Sequence, residues 1–244
     1  MKQTSTRFIL LTCLLLCAYA CGKRPYPKSL IVADSLASAR PDSAIALLNT
    51  LKESMKAESE ATRMYYRLLC IKANDKAYIR HTSDSLILPV LHYYTEKKDE
   101  HHLPEAYYYA GRVYRDLEDA PLALDYFQKA IDALPDNKGY RLKSKIYSQM
   151  GTLFLYQKTY DEALKILKEA RKCNIALKDS ASMVFNLRDI ANGYRCLDQN
   201  DSSLYYLRKA YYIAKVLRNY DLMAMVQSQM ASLYICLLYT SPSP

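Results

Sequence analysis

The stretch that decides the fold is "PEAYYYAGRVYRDLEDAPLALDYFQKAIDALPD", Pro104 to Asp136. Counted from Pro104, it carries Tyr107, Ala110, Gly111, Tyr114, Ala123, Phe127, Ala130 and Pro135 at places 4, 7, 8, 11, 20, 24, 27 and 32. These are the places of a helix-turn-helix unit, so the segment predicts two antiparallel helices joined by a turn. Small residues at places 8, 20 and 27 let the two helices approach closely, while the aromatic rings at places 11 and 24 fill the remaining space. The pattern returns at a constant step of forty residues. Ser144 opens a second copy with Tyr147, Met150, Gly151, Phe154, Ala163, Leu167 and Ala170. Val184 opens a third with Leu187, Ile190, Ala191, Tyr194, Ser203, Leu207 and Ala210, and Met230, Ala231 and Tyr234 begin a fourth.

Unit one resembles the tetratricopeptide repeat at nearly every signature place, and the later units repeat its spacing. The resemblance implies an all-α chain, a right-handed α-solenoid of helix-turn-helix hairpins, because one hairpin alone cannot bury its apolar face. A step of forty residues exceeds the usual repeat length and predicts either longer helices or an enlarged connection. Pro121 suits the first turn of a helix, and Thr159 with Glu162 reads as a capping box. In such repeats, places 2, 5, 6, 9, 12 and 13 of each first helix line the concave surface. Unit one then offers Glu105, Tyr108, Tyr109, Arg112, Arg115 and Asp116. Unit two offers Lys145, Ser148, Gln149, Thr152, Leu155 and Tyr156, and unit three Phe185, Arg188, Asp189, Asn192, Arg195 and Cys196. The expected partner-binding side chains are Tyr108, Tyr109, Arg112, Arg115, Gln149, Thr152, Arg188, Asn192 and Arg195, gripping an extended peptide by carboxylate forks and stacking. Alternatively some of them form ion pairs, such as Arg112 or Arg115 with Asp116.

Upstream the repeat decays while the helical period persists. "LIVADSLASARPDSAIALLNTLKE" predicts two helices broken near Pro41, the second with Ala44, Leu47, Leu48 and Leu51 on one face. "ATRMYYRLLCIKANDKAYI" and "SDSLILPVLHYYTEKKD" read as a further pair, with Pro89 kinking or shortening the latter. The expected organisation is residues 1–20 a lipoprotein signal peptide, 21–29 a tether, 30–103 degenerate hairpins, 104–235 the repeat array with units near 104, 144, 184 and 224, and 236–244 a non-native tail.

The leader rests on "MKQTSTR", with Lys2 and Arg7, then the apolar "FILLTCLLLCAY", then "AYAC". A basic start, a short apolar core and small residues before a cut define an export signal. Cys21 directly after Ala20 resembles a bacterial lipobox, with Ala18 in place of the usual Leu, and implies lipidation of Cys21. Cleavage to a soluble secreted protein is the alternative. The formal charge of +9, or +7 without Lys2 and Arg7, is interspersed along helices, which signals a solvated face and no nucleic-acid stripe. Cys70, Cys173 and Cys196 have no metal spacing and suit buried apolar positions, although an oxidising compartment would allow pairing.

The tail "CLLYTSPSP", Cys236 to Pro244, is the translation of TGTCTCTTATACACATCTCCGAGCCCA, which resembles a transposase end used in sequencing libraries. The expectation is a gene interrupted by an adapter inside the first helix of the fourth unit, leaving part of the apolar face near Met230 and Tyr234 without cover; a genuine Ser/Pro linker is the alternative.

No catalytic constellation, cofactor motif or metal site is legible. His101 and His102 read as a solvent-facing doublet at a helix junction, and the Ser and Asp of "RPDSA", "TSDSL" and "NDSSL" sit where helices begin and read as caps. The tyrosines read mostly as core and groove lining. The whole resembles the tetratricopeptide-repeat lipoproteins of gut Bacteroidales, on "ADSLASARPDSAIALL", "YIRHTSDSLILPVLHYY" and "NLRDIANGYR" besides the unit-one stretch. That resemblance implies a non-enzymatic scaffold, lipid-anchored in the cell envelope and facing the periplasm, that binds a protein or peptide. Two alternatives are the sensor arm of a membrane-bound signalling or transcriptional regulator, and a subunit of outer-membrane assembly or glycan-uptake machinery.

Overall fold

A computed structural model describes residues 26–135 and 139–240, in eleven α-helices with no strand among the described residues. They fall into two compact units that divide after Arg80.

The first unit holds α1 (Lys28–Ala39), α2 (Pro41–Leu51), a short 3₁₀ turn (Ser54–Ala57) and α3 (Glu60–Lys76). Pro41 stands at the first position of α2, where its missing N–H costs no hydrogen bond. Leu30, Ala33, Ala44, Leu48, Tyr65 and Leu69 build the core. Tyr26, expected in the tether, stacks on Tyr65 with ring centroids 4.1 Å apart, and α1 begins two residues ahead of Leu30. Lys72 of α3 donates to Asp34 of α1 at 2.8 Å. Residues 1–25, with the expected leader and Cys21, lie outside the described residues.

The second unit begins at His81 and contains α4 (Ile87–Lys97), α5 (Leu103–Asp116), α6 (Ala120–Asp132), α7 (Tyr140–Tyr156), α8 (Tyr160–Leu177), α9 (Ser180–Cys196), α10 (Asn200–Val216) and α11 (Tyr220–Thr240). The division thus falls between the two segments, α3 and α4, that the sequence pairs. Pro89 sits in the first turn of α4 and leaves a short helix. From α5 onward the unit is a right-handed α-solenoid of tetratricopeptide-type hairpins: α5 with α6, α7 with α8, α9 with α10, and α11 as the first helix of a fourth. Successive first helices touch (α5 on α7, α7 on α9, α9 on α11), and each second helix packs on the first helices flanking it.

Close approach within hairpins rests on the small residues. A Cβ on Gly111 would lie 2.4 Å from two ring atoms of Phe127, and one on Gly151 would lie 2.5 Å from Leu167 Cγ and Cδ2. Ala123, Ala130, Ala163, Ala170 and Ala210 are wholly buried. Gly193, at place 10, makes a contact the repeat pattern does not foretell, against Leu164 of the preceding second helix.

Both readings of the forty-residue step occur. Units two and three use helices of 17 and 18 residues, whereas unit one keeps helices of 14 and 13 residues and a longer connection. The turns recur every twenty residues, except across the α6–α7 connection, with a left-handed residue that is not glycine: Lys98, Glu118, Lys158, Lys178, Asp198 and Arg218, φ 50–65°. In each, the following N–H reaches back five residues, as from Asp119 to Tyr114 at 2.9 Å and Thr159 to Phe154 at 3.0 Å, closing the helix in a Schellman turn.

The caps differ from the expectation. Thr159 accepts no helix N–H; its hydroxyl instead donates to the Phe154 carbonyl at 3.2 Å, so no capping box forms. The helices that begin at or just after "RPDSA", "TSDSL" and "NDSSL" also lack a side-chain cap at their N-cap positions, Arg40 for α2, Leu86 for α4 and Gln199 for α10, so the Ser and Asp of these stretches are not the N-caps expected. Side-chain caps come from Ser59, Asp119, Asp179 and Asn219, the last three accepting the N–H three residues on at 3.0 Å.

Helix α11 is the one described helix long and apolar enough by length and composition to cross a membrane, over Tyr220–Leu238. Its Leu222, Val226 and Leu233 are buried in a cluster with Leu187 of α9 and Leu207 and Ala210 of α10. Of its outer residues, Met230 is half-buried and Tyr234 exposed. The helix runs on through Thr240, past the start of the expected tail.

Candidate functional site

The face formed by α5, α7, α9 and α11 carries the positions expected to meet a partner. Two of them do not reach it. Tyr108 and Tyr109 are 3% and 2% exposed. Tyr108 rests against Tyr109 and Phe127, at centroid distances of 5.0 and 6.0 Å. Both rings belong to the core, because an aromatic side chain at these places gains more from burial than the serine, glutamine, arginine and aspartate that succeed it in later units.

The remaining predicted residues are half-buried or exposed, but most are already engaged with one another. Arg115 donates to Asp116 Oδ1 through Nη2 (2.6 Å) and Nε (3.1 Å), and its Nη1 donates to Gln149 Oε1 at 2.7 Å. The Arg115–Asp116 pair is therefore the ion-pair alternative realised, and it ties unit one to unit two. Asp116 Oδ2 also accepts the backbone N–H of His81 (3.1 Å) and its ring Nδ1–H (2.7 Å). Burial alone would raise the Asp116 carboxyl, but Arg115 and the two His81 donors hold it below the usual carboxylate range. Thr152 donates to the Ser148 carbonyl at 2.9 Å, and Arg112 is half-buried on α5.

In unit three Arg188 donates to Asp189 Oδ1 (2.7 and 2.9 Å) and to Met225 Sδ (3.1 Å), and its guanidinium lies 5.4 Å from the Phe185 ring centroid. Burial pushes the Asp189 carboxyl up, against the opposing pull of Arg188. Arg195 is exposed and donates to Asn192 Oδ1 at 2.7 Å. Beside that pair a hollow of about 260 Å³ opens between Asn192 and Arg195 of α9, Ser203 of α10, and Gln229 and Ser232 of α11. Of the predicted residues, Asn192 and Arg195 thus share one cavity, while Arg115 and Gln149 meet farther along the same row.

Several polar features escaped the repeat pattern. Ser144 donates to Asn174, both buried, and Asn186 donates from Nδ2 to the Leu167 carbonyl at 3.0 Å, stapling α9 to α8. Tyr114 donates to Asp84 Oδ2 at 3.0 Å; burial and that carboxylate push its phenol up to about 12. His102 is not solvent-facing: its ring stacks on Tyr94 at 5.1 Å and donates to Asp99 Oδ2 at 3.0 Å, because Asp99 organises the α4–α5 turn. His101 is exposed. The tyrosines also divide differently, with Tyr78, Tyr156, Tyr205, Tyr212 and Tyr220 all more than half exposed. Cys70, Cys173 and Cys196 form no disulfide, and burial raises the thiols of Cys70 and Cys173. Among the described residues no three His, Cys, Asp or Glu side chains cluster to hold a metal ion.

No family model matches the chain, and no curated protein is significantly similar to it in sequence. Solved structures are similar in fold. A signal-transduction ATPase with numerous domains and a tetratricopeptide repeat sensor, from Pyrococcus horikoshii, superposes with a TM-score of 0.71 at 16% identity, over 85% of this chain and 32% of that one. The apo form of RapI superposes at 0.70 with 14% identity, over 88% of this chain and 61% of that one. A Rap protein complexed with competence and sporulation factor gives 0.64 at 14% identity, over 86% and 59%. The chain thus spans about a third of the first structure's length and about three-fifths of the other two. Likeness at this identity establishes the architecture, a tetratricopeptide-type α-solenoid.

Proposed function

We propose that this chain is a non-enzymatic scaffold that holds a protein or peptide partner along the face of its first helices, tethered to a membrane by a lipid on Cys21. The observation that carries the reading is the continuous row of first helices, lined by Arg115 and Gln149, Arg188, and the Asn192–Arg195 hollow against α11. Guanidinium groups there can exchange their internal acceptors for a partner's carboxylates in bidentate geometry. A fold neighbour crystallised with competence and sporulation factor supports a binding role for such an array. The lipoprotein reading rests on the leader and on Ala20–Cys21.

Immobilised chain should capture a discrete partner from a cell-envelope extract, and Arg188→Ala with Arg195→Ala should cut that capture severalfold without altering the helical circular-dichroism signal. Equal capture by both proteins would refute the groove. Cys21→Ala should move the protein out of the membrane fraction, and unchanged fractionation would remove the anchor. The sensor-arm alternative requires the native gene to continue into a spanning segment and an output domain.

A further inference from the structure

The second helices present a surface of another character. A groove of about 520 Å³ lies between α8 and α10 over α9. Met183 and Leu187 of α9 form its floor, Arg171 of α8 stands on one wall, and Tyr205, Arg208, Lys209 and Tyr212 of α10 form the other. Every charged side chain lining it is a cation. In the first-helix face Arg115 and Arg188 are neutralised by adjacent aspartates. Here, among the described residues, Arg171, Arg208 and Lys209 have no carboxylate partner, and Arg171 Nε is buried without an acceptor. Lys209 lies over the Tyr205 ring, 4.3 Å from its centroid, which leaves its charge available.

The site is also elongated. Tyr205, Arg208, Lys209 and Tyr212 recur along the groove at i, i+3, i+4 and i+7, and Val216 at i+11 continues the same face of α10 beyond it. At 1.5 Å per residue that stripe runs roughly 16 Å, the length of three helical turns. Tyr205, Tyr212 and Val216 are 52%, 68% and 65% exposed along it. Exposed tyrosine and arginine around an apolar floor are the composition of an interface centre. Cations on both walls match an occupant with negative charge on both flanks, and the length matches a helix better than a compact ligand.

We infer that this groove docks an amphipathic helix of a protein partner, its apolar face flanked on both sides by aspartate or glutamate. The partner's apolar side chains cover the half-buried Met183 and Ile213 of α10 above the buried Leu187, Tyr205 and Tyr212 close over them, and its carboxylates take the guanidinium forks of Arg171 and Arg208. Its walls come from second helices, and its lining shares no residue with the hollow in the first-helix face.

The test is a fluorescence-anisotropy titration with a labelled designed peptide of about sixteen residues, leucines on one helical face and glutamates on both flanks. It should bind the full chain. A version with lysines for glutamates, and one with serines for leucines, should bind at least tenfold more weakly. Arg208→Glu with Lys209→Glu should lose the glutamate peptide by at least tenfold and gain the lysine peptide; Arg171→Glu should act in the same direction, with circular dichroism confirming that each variant is folded. No binding to the glutamate peptide, or equal binding of glutamate and lysine versions, overturns the inference. So does binding of anionic lipid vesicles in place of the peptide, or a self-association that the Arg208→Glu, Lys209→Glu pair abolishes.

Discussion

Gly111→Ala tests the packing that holds the hairpins together. The added methyl would sit 2.4 Å from Phe127 Cδ1 and Cε1 and 2.9 Å from Cγ. Carbon contacts are comfortable only at about 3.5 Å, so α5 and α6 must part by roughly 1 Å or more. The Phe127 ring is rigid and wholly buried, so it cannot swing aside. Overpacking of this kind costs about 1–3 kcal/mol, and a rigid ring places it at the upper end. The gain in helix propensity from glycine to alanine returns about 1 kcal/mol. A net loss of about 2 kcal/mol remains, or roughly 4–8 °C in melting temperature for a chain of this size. Gly151→Ala meets the more pliable Leu167 at 2.5 Å and should lose about 1 kcal/mol; Gly193→Ala meets Leu164 Cδ2 at 2.8 Å and should come out near zero. Thermal melts followed by circular dichroism rank the three. Adding Phe127→Leu should recover part of the Gly111→Ala loss. If all three substitutions raised the melting temperature alike, as propensity alone requires, the close-approach argument would be wrong.

Three further outcomes follow from the turns, the caps and the buried carboxylates. Lys158→Gly and Lys178→Gly should each stabilise by about 0.5–1 kcal/mol, since both residues hold left-handed φ of 60° and 53° at a side-chain cost that exceeds glycine's entropic one; urea midpoints measure it. Asp119→Ala should cost about 1 kcal/mol by removing the acceptor of the Leu122 N–H, whereas Thr159→Ala should change cap energy by no more than a few tenths, a contrast visible in the same denaturation series. Asp116, held low, stabilises fully above the ordinary aspartate value near 3.9 and loses that contribution as pH falls through its lower folded value. Asp189, pushed up, burdens the folded state at neutral pH and is relieved as pH falls through its raised value. Melts between neutral and acid pH should therefore show Asp116→Asn most destabilising at neutral pH, and Asp189→Asn comparing more favourably with wild type at neutral pH than in acid.

The hairpins were legible because their determinants are local and regularly spaced. Gly111 faces Phe127 and Gly151 faces Leu167, as places 8 and 24 require. The cap expectations failed at Thr159 because a hydroxyl can serve either the helix ahead or the carbonyl behind, and a sequence does not say which. Tyr108 and Tyr109 were misplaced because the helical period says which side chains share a stripe, but not whether packing covers that stripe. His102 was misread because Asp99, three residues before it, folds it into the turn.

By itself, then, the sequence determined the helical hairpins, their forty-residue step and the small residues that permit contact, since these depend on spacing along one chain. Only the tertiary structure decided which arginines are neutralised and which are left open. Arg115 meets Gln149 from another hairpin, and Arg171, Leu187 and Arg208 come from three different helices. Charge balance and grooves belong to the space between helices, where residues distant in sequence become neighbours.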